Sequence, residues 1–307
     1  MKIPGLGWLH YRFVVKPRAD ADAQACAREL PALQASIRQL PPLSASPEAL
    51  GSAPEVNMLT GEKFLYLTVF SAYSLVRAAG RPFRICIVSD GTVSPASLDL
   101  LRQIFPGMIV YRAPAEEEAR VEALFPLGRF PALRRARVES VFFRKLLDVH
   151  GGAQGWRLYL DSDTFFHRRP DVLLDCIAAG DRPCYMLDQW SNYGHPLEFL
   201  EKLSGRPMLR KANAGIVGLR SETIDWERME HWLAQMRQAG GDFFYFEQGL
   251  TAMLLSAADS VLLPPEDYII GPHRAEVLQP RGVFHHYAGE SKNRFVGYRV
   301  PRVLFAA

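Results

Sequence analysis

The sequence predicts an α/β fold: a mostly parallel central sheet with helices on both faces, forming a single domain over residues 55–295. Three observations lead there. Short β-type runs alternate with longer amphipathic runs from Val56 onward. The intervening helical runs have the length, about 10–15 residues, of βαβ crossovers. No internal repeat points to a solenoid or propeller instead.

The elements follow in order. Residues 1–54 read as an N-terminal helical appendage and linker: the alanine-rich "DADAQACARELPALQASIRQL" favours helix, and the Pro, Ser and Gly of "PPLSASPEALGSAP" mark a surface connection. The strand "VNML" then leads to a helix over 63–79, the strand "FRICIVS" to a helix over 95–105, and "MIVY" closes this half. A helix over 137–149, the strand "WRLYL", a helix over 170–178, the strands "PCYML" and "AGIVGL", and helices over 222–238 and 246–257 make the second half. Residues 296–307 form a C-terminal tail. Such sheets bind ligands at the carboxyl ends of their strands, where loops and helix N-termini gather.

Composition excludes some classes. The 36 Lys+Arg against 33 Asp+Glu leave a formal charge of +3, too small to argue for nucleic acid as a partner. The arginine-rich "RFPALRRARVESVFFRK" over 129–145 suits a solvated helix face or an anionic ligand. Cys26, Cys86, Cys176 and Cys184 show no C-x-x-C spacing and read as buried free thiols in a reducing compartment. The N-terminal residues lack a sustained apolar signal region, and no run approaches the ~20 apolar residues of a membrane span. A cytoplasmic protein is the expectation, with Trp8, Phe13 and neighbouring basic residues as a possible peripheral contact with the inner face of a membrane. Oligomeric state is not legible.

The stretch "WRLYLDSDTFFHRRP" places Asp161 at the carboxyl end of a central strand, with Asp163 two residues on and "TFF" returning the chain to the core. An unpaired carboxylate there is costly, so each acid needs a cation, N–H donors or water. A divalent metal answers both at once, because oxygens at i and i+2 grip part of a Mg²⁺ or Mn²⁺ sphere and leave the rest for phosphate and water. A capping role for Asp163 or Thr164 is the bland alternative. Asp20-Ala21-Asp22 has the same spacing in a polar, alanine-rich setting and carries no such implication.

Hydrophobic strand, D-x-D and apolar run resemble the metal site of GT-A glycosyltransferases, whose fold is Rossmann-like. Three further motifs follow in the order of the family-8, glycogenin-like branch. "NAGIVGL" begins at Asn213, "FEQGL" holds Glu247-Gln248-Gly249, and "HYAGESK" reproduces H-x-x-G-x-x-K at His286, Gly289 and Lys292. The resemblance covers about residues 56–295.

The resemblance implies Mn²⁺ (or Mg²⁺) on Asp161, Asp163 and His286, and a nucleotide-sugar donor, most often a UDP-sugar. Gly289 would let the backbone approach the diphosphate and Lys292 would neutralise it. Lys145 would reach the nucleotide from the preceding helix, with Arg144 beside it as an alternative; Thr60 and Ser162 join the donor-binding set. Asn213 and Ala214 would face the donor sugar, and Gln248 its anomeric carbon. His285, adjacent to His286, has the wrong spacing to Gly289 and Lys292. Asp188, in "DQWSNYGHP", and Glu247 could serve as a base in an inverting reaction, whereas the resemblance implies retention, with the diphosphate assisting the acceptor. "SDG" over 89–91 reads as a turn.

The chain departs from the family at Glu247, where Asp is usual, at Ala214, where Ser is usual, after Lys292, and in a first strand without the early acidic nucleotide contact. The implied activity is transfer of a sugar to a glycan or other hydroxyl acceptor. The rival readings are a sugar nucleotidyltransferase and a catalytically inactive nucleotide- or carbohydrate-binding module.

Overall fold

The computed structural model describes residues 16–305. Trp8 and Phe13, on which the membrane contact was placed, lie outside them.

Seven strands form the central sheet, in the order β3-β2-β1-β4-β7-β6-β8. β1 (Glu55–Thr60), β2 (Arg84–Ser89), β3 (Ile109–Tyr111) and β4 (Trp156–Leu160) are parallel. β7 (Ala212–Arg220) runs antiparallel to both β4 and β6 (Cys184–Leu187), and β8 (Val261–Leu262) is parallel to β6. The sheet is mostly parallel, as the alternation predicts, with one reversed strand. That strand is the "AGIVGL" run, lengthened to nine residues.

Two cores pack on opposite faces. Period-two alternation sends Val56, Met58, Leu158, Leu160, Ile216 and Met186 to one face and Val217, Leu219 and Tyr185 to the other. The first face receives α3 (Leu65–Ala79), apolar almost all round and buried over most of its length. It stops at Gly80, whose φ of 65° is left-handed and whose N–H donates to Val76 O at 3.1 Å. The other face receives α10 (Trp226–Gln238) and α11 (Phe246–Leu255). The helix predicted from 222 begins instead at Trp226, because the Asp225 carboxylate accepts from Arg228 N at 3.0 Å and caps it there.

The helix predicted over 137–149 is two. Ser140 is extended, with φ −140° and ψ 121°, so Pro131–Glu139 ends before a short 3₁₀ turn and α7 (Arg144–His150) starts afresh. A helix absent from the sequence reading, α5 (Pro114–Leu124), fills the preceding connection. The N-terminal Lys16–Ser36 helix packs on α13 (Ser291–Gly297) and the turn after it, where Asp22 accepts from Tyr298 Oη at 3.0 Å and pairs with Arg294. Leu33, Ile37 and Leu40 join the first core.

A small sheet sets the site. β10 (Phe284–His286) pairs antiparallel with β5 (Thr164–Phe166), with His286 opposite Thr164, and parallel with β9 (Tyr268–Ile270). This register carries a histidine from the end of the chain to the loop that follows β4.

The four cysteines are free, as expected, but only Cys184 is fully buried; the other three are half-buried. Among the described residues no helix is long and apolar enough to cross a membrane.

Candidate metal centre and donor site

Asp161 leaves β4 with its N–H donating to Gly215 O at 2.7 Å, and its carbonyl accepts from Thr164 Oγ1 at 2.8 Å. Asp163 O accepts from Tyr287 N at 2.7 Å, which pins the loop to the strand end of β10. The backbone of the D-x-D is thus fixed on both sides, and its carboxylates are free to point into one place. Thr164 orders the loop by donating to a carbonyl, not by satisfying backbone N–H groups as the capping alternative had it, and Asp163 turns its carboxylate to cationic side chains.

One oxygen of Asp161, one of Asp163 and a ring nitrogen of His286 lie within 4.8 Å of one another. His286 Nε2 is 3.2 Å from Asp163 Oδ1 and 3.6 Å from Asp161 Oδ2. Two carboxylates and an imidazole are a donor set suited to Mn²⁺, and to Mg²⁺ with less nitrogen character. The residues present fit a divalent ion. His285, by contrast, turns away: its ring bonds Glu276 and Tyr287 Oη at 3.0 Å each and lies 3.0 Å from His167.

Lysines approach from two sides. Lys145 Nζ is 2.8 Å from Asp161 Oδ1, and Lys292 Nζ is 2.6 Å from Asp163 Oδ2. Burial pushes the Asp163 carboxyl up, but the facing His286 and Lys292 outweigh it and hold the group well below the usual carboxylate range. Burial lowers His286, and the two aspartates overcome that to raise it. Lys145 behaves alike, its burial outweighed by Asp161 and Glu247.

Behind these groups stands a supporting layer. Asn213 Oδ1 lies 3.1 Å from His286 Nδ1 and also accepts from Gly215 N at 2.8 Å, while its amide nitrogen donates to Asp188 Oδ2 at 2.8 Å. Gln248 Nε2 donates to the same Asp188 oxygen at 3.1 Å and to Ala212 O at 3.2 Å. Asp188 also accepts from Gln189 N at 2.6 Å. Glu247 is buried, accepts from Thr251 Oγ1 at 3.0 Å and lies 3.9 Å from Lys145 Nζ. Burial pushes its carboxyl up to about 7.

The structure therefore brings Asp161, Asp163, His286, Lys145, Lys292, Asn213, Asp188, Gln248 and Glu247 together. Ala214 is buried beside Asn213 and Ser162 is half-buried between the aspartates. Gly289 turns with φ 57° at the exposed approach to α13. Thr60 stands at the end of β1, but its buried hydroxyl is bonded to Thr68 Oγ1 at 2.7 Å. Arg144 donates to Ser89 O at 2.6 Å, away from the aspartates. "SDG" forms the expected turn, with Asp90 Oδ1 accepting from Thr92 N at 2.8 Å.

Two residues were missed. Tyr159 Oη donates to Asp161 Oδ1 at 2.6 Å; the i, i+2 relation within one strand was the available signal, since it puts both on one face. Gly215 was quoted within "NAG" without a role. A Cβ there would fall 2.4 Å from His286 Cε1, so only glycine leaves room for the ring.

No family model and no curated protein matches the chain. Solved structures do. The galactosyltransferase LgtC, in complex with donor and acceptor sugar analogues, superposes with a TM-score of 0.55 at 15% identity, over 82% of this chain and 95% of that one. Mouse xyloside xylosyltransferase 1, in its apo form, gives 0.54 at 12% identity, over 78% and 99%. The bifunctional glycosyltransferase WbbM gives 0.50 at 16%, over 81% of this chain and 47% of that one. The chain has the fold of these GT-A glycosyltransferases.

Proposed function

We propose that the chain is a metal-dependent hexosyltransferase of the family-8, glycogenin-like branch, moving a sugar from a nucleotide diphosphate donor, a UDP-sugar, to the hydroxyl of a glycan acceptor with retention. The convergence of Asp161, Asp163 and His286 beside two lysines carries this reading. Their ordering in sequence matches that branch, and the similar fold of the galactosyl- and xylosyltransferases supports it. A cytoplasmic location, expected from the free thiols, belongs to the same proposal.

Asp161, Asp163 and His286 Nε2 would hold the divalent ion, Mn²⁺ or Mg²⁺, which supplies positive charge against the departing diphosphate. The protein's own groups then have distinct work. Lys292, on the first turn of α13, is placed to leave Asp163 for diphosphate oxygens, and Lys145 holds Asp161 in position. Asn213 accepts the Nδ1 proton of His286 and so presents Nε2 as a lone pair towards the aspartates.

Both amide hydrogens of Gln248 are engaged, and Oε1, which has no partner among the described residues, is left for the sugar's anomeric carbon. Neither base candidate stands free: Asp188 is occupied by four donors, and Glu247 is buried behind Lys145. That supports retention, with the acceptor proton passing to the diphosphate as its bond to the sugar breaks. Release of UDP from UDP-glucose and UDP-galactose, assayed with Mn²⁺ and with EDTA, tests the proposal. Metal-dependent release supports it; turnover that needs pyrophosphate points to a nucleotidyltransferase, and binding without turnover to an inactive module.

A further inference from the structure

A cavity of about 550 Å³ opens on the other face of β1–β4, between the sheet and the helices α5 and α7. Its floor consists of the side chains that alternate with the first core: Asn57 between Val56 and Met58, Cys86 between Ile85 and Ile87, and Arg157. In a parallel sheet covered by helices, that face is ordinarily apolar. Here it is lined by Arg84, Arg112, Arg120, Arg144 and Arg157.

Carboxylates do not balance them. Glu55 serves both Arg84 and Arg157, and Glu117 serves both Arg112 and Arg120. Asp148 is committed to Arg137, outside the lining, through bonds of 2.6 and 2.9 Å. Arg144 meets no carboxylate among the described residues and donates only to Ser89 O. Two carboxylates are thus shared among four guanidinium groups and the fifth, Arg144, has none, while Val110, Leu124 and Val149 add apolar wall. Guanidinium forks match phosphate oxygens in pairs, and the volume falls in the range of small-molecule sites, roughly 300–1,000 Å³.

We infer that this cavity binds a small organic phosphate, at a site distinct from the aspartate cluster. None of Asp161, Asp163, His286 or Lys292 lines it. The two sites share α7, which turns Arg144 and Asp148 to the cavity and Lys145 to Asp161, so an occupant is placed to act on the cluster through that helix.

Calorimetric titration of the full chain with glucose 1-phosphate and with inorganic phosphate tests this. The expected result is binding of glucose 1-phosphate, tighter than that of inorganic phosphate. It should weaken about tenfold or more in the Arg84→Ala/Arg112→Ala double variant, with the Mn²⁺-induced thermal shift retained. If that variant does not fold, Arg84→Gln/Arg112→Gln is read in its place. In Lys292→Ala, which removes the lysine proposed for the donor diphosphate, affinity should stay unchanged. The inference is overturned by no binding to the wild type, by equal affinity for inorganic phosphate, by affinity unaffected in the arginine variants, or by binding lost in Lys292→Ala.

Discussion

The side-chain oxygen of Asn213 lies 3.1 Å from Nδ1 of His286, and that oxygen is identified by the Gly215 N–H it also accepts at 2.8 Å. The pairing fixes which ring nitrogen faces Asp161 and Asp163. Asn213→Ala should therefore weaken Mn²⁺ binding about 10–100-fold with the fold retained. Titration calorimetry checks this, and an unchanged affinity would remove Asn213 from the support of the metal site.

Gly215→Ala puts a methyl group 2.4 Å from His286 Cε1. The ring must move, and overpacking of this kind costs about 1–3 kcal/mol. The stabilisation conferred by Mn²⁺ in a thermal-shift experiment should disappear in the variant. A full Mn²⁺ shift would show that the ring is not where the metal sits.

His286 must be neutral at Nε2 to ligate, yet the aspartates raise its affinity for a proton. Mn²⁺ binding should then release a proton below that raised pKa and weaken as the pH falls. Calorimetry in two buffers of different ionisation enthalpy measures the proton count; zero protons at pH 6 would contradict the assignment.

Glu247, pushed up to about 7 by burial, keeps its proton in the folded chain over a range where the unfolded chain has lost it. Its contribution to stability is complete below the unfolded value near 4.5 and is lost as the pH rises through about 7. The loss is at most roughly 3 kcal/mol. Glu247→Gln should flatten this dependence, so its melting temperature should gain on the wild type between pH 5 and pH 8. Parallel curves would mean that Lys145 alone compensates the carboxylate.

What the sequence showed and what it hid have physical reasons. The acidic pair was legible because apolar runs on both sides leave two acids no solvent, and "HYAGESK" because its spacing survives intact. The direction of β7 was not: an apolar strand buried on both faces reads alike parallel or antiparallel, and its reversal depends on which neighbour it meets. The break at Ser140 was hidden because "RVESVFFRK" keeps an amphipathic period across one extended residue. Thr60 drew attention at the end of β1, yet its hydroxyl is taken by Thr68, a partner eight residues on that the strand pattern does not reveal.

UDP release from a UDP-sugar, followed with Mn²⁺ in the wild type and in Asp163→Ala, tests the central claim most directly. The account predicts Mn²⁺-dependent release in the wild type and none above background in the variant, with the variant still folded by circular dichroism. Equal release by both proteins would contradict it.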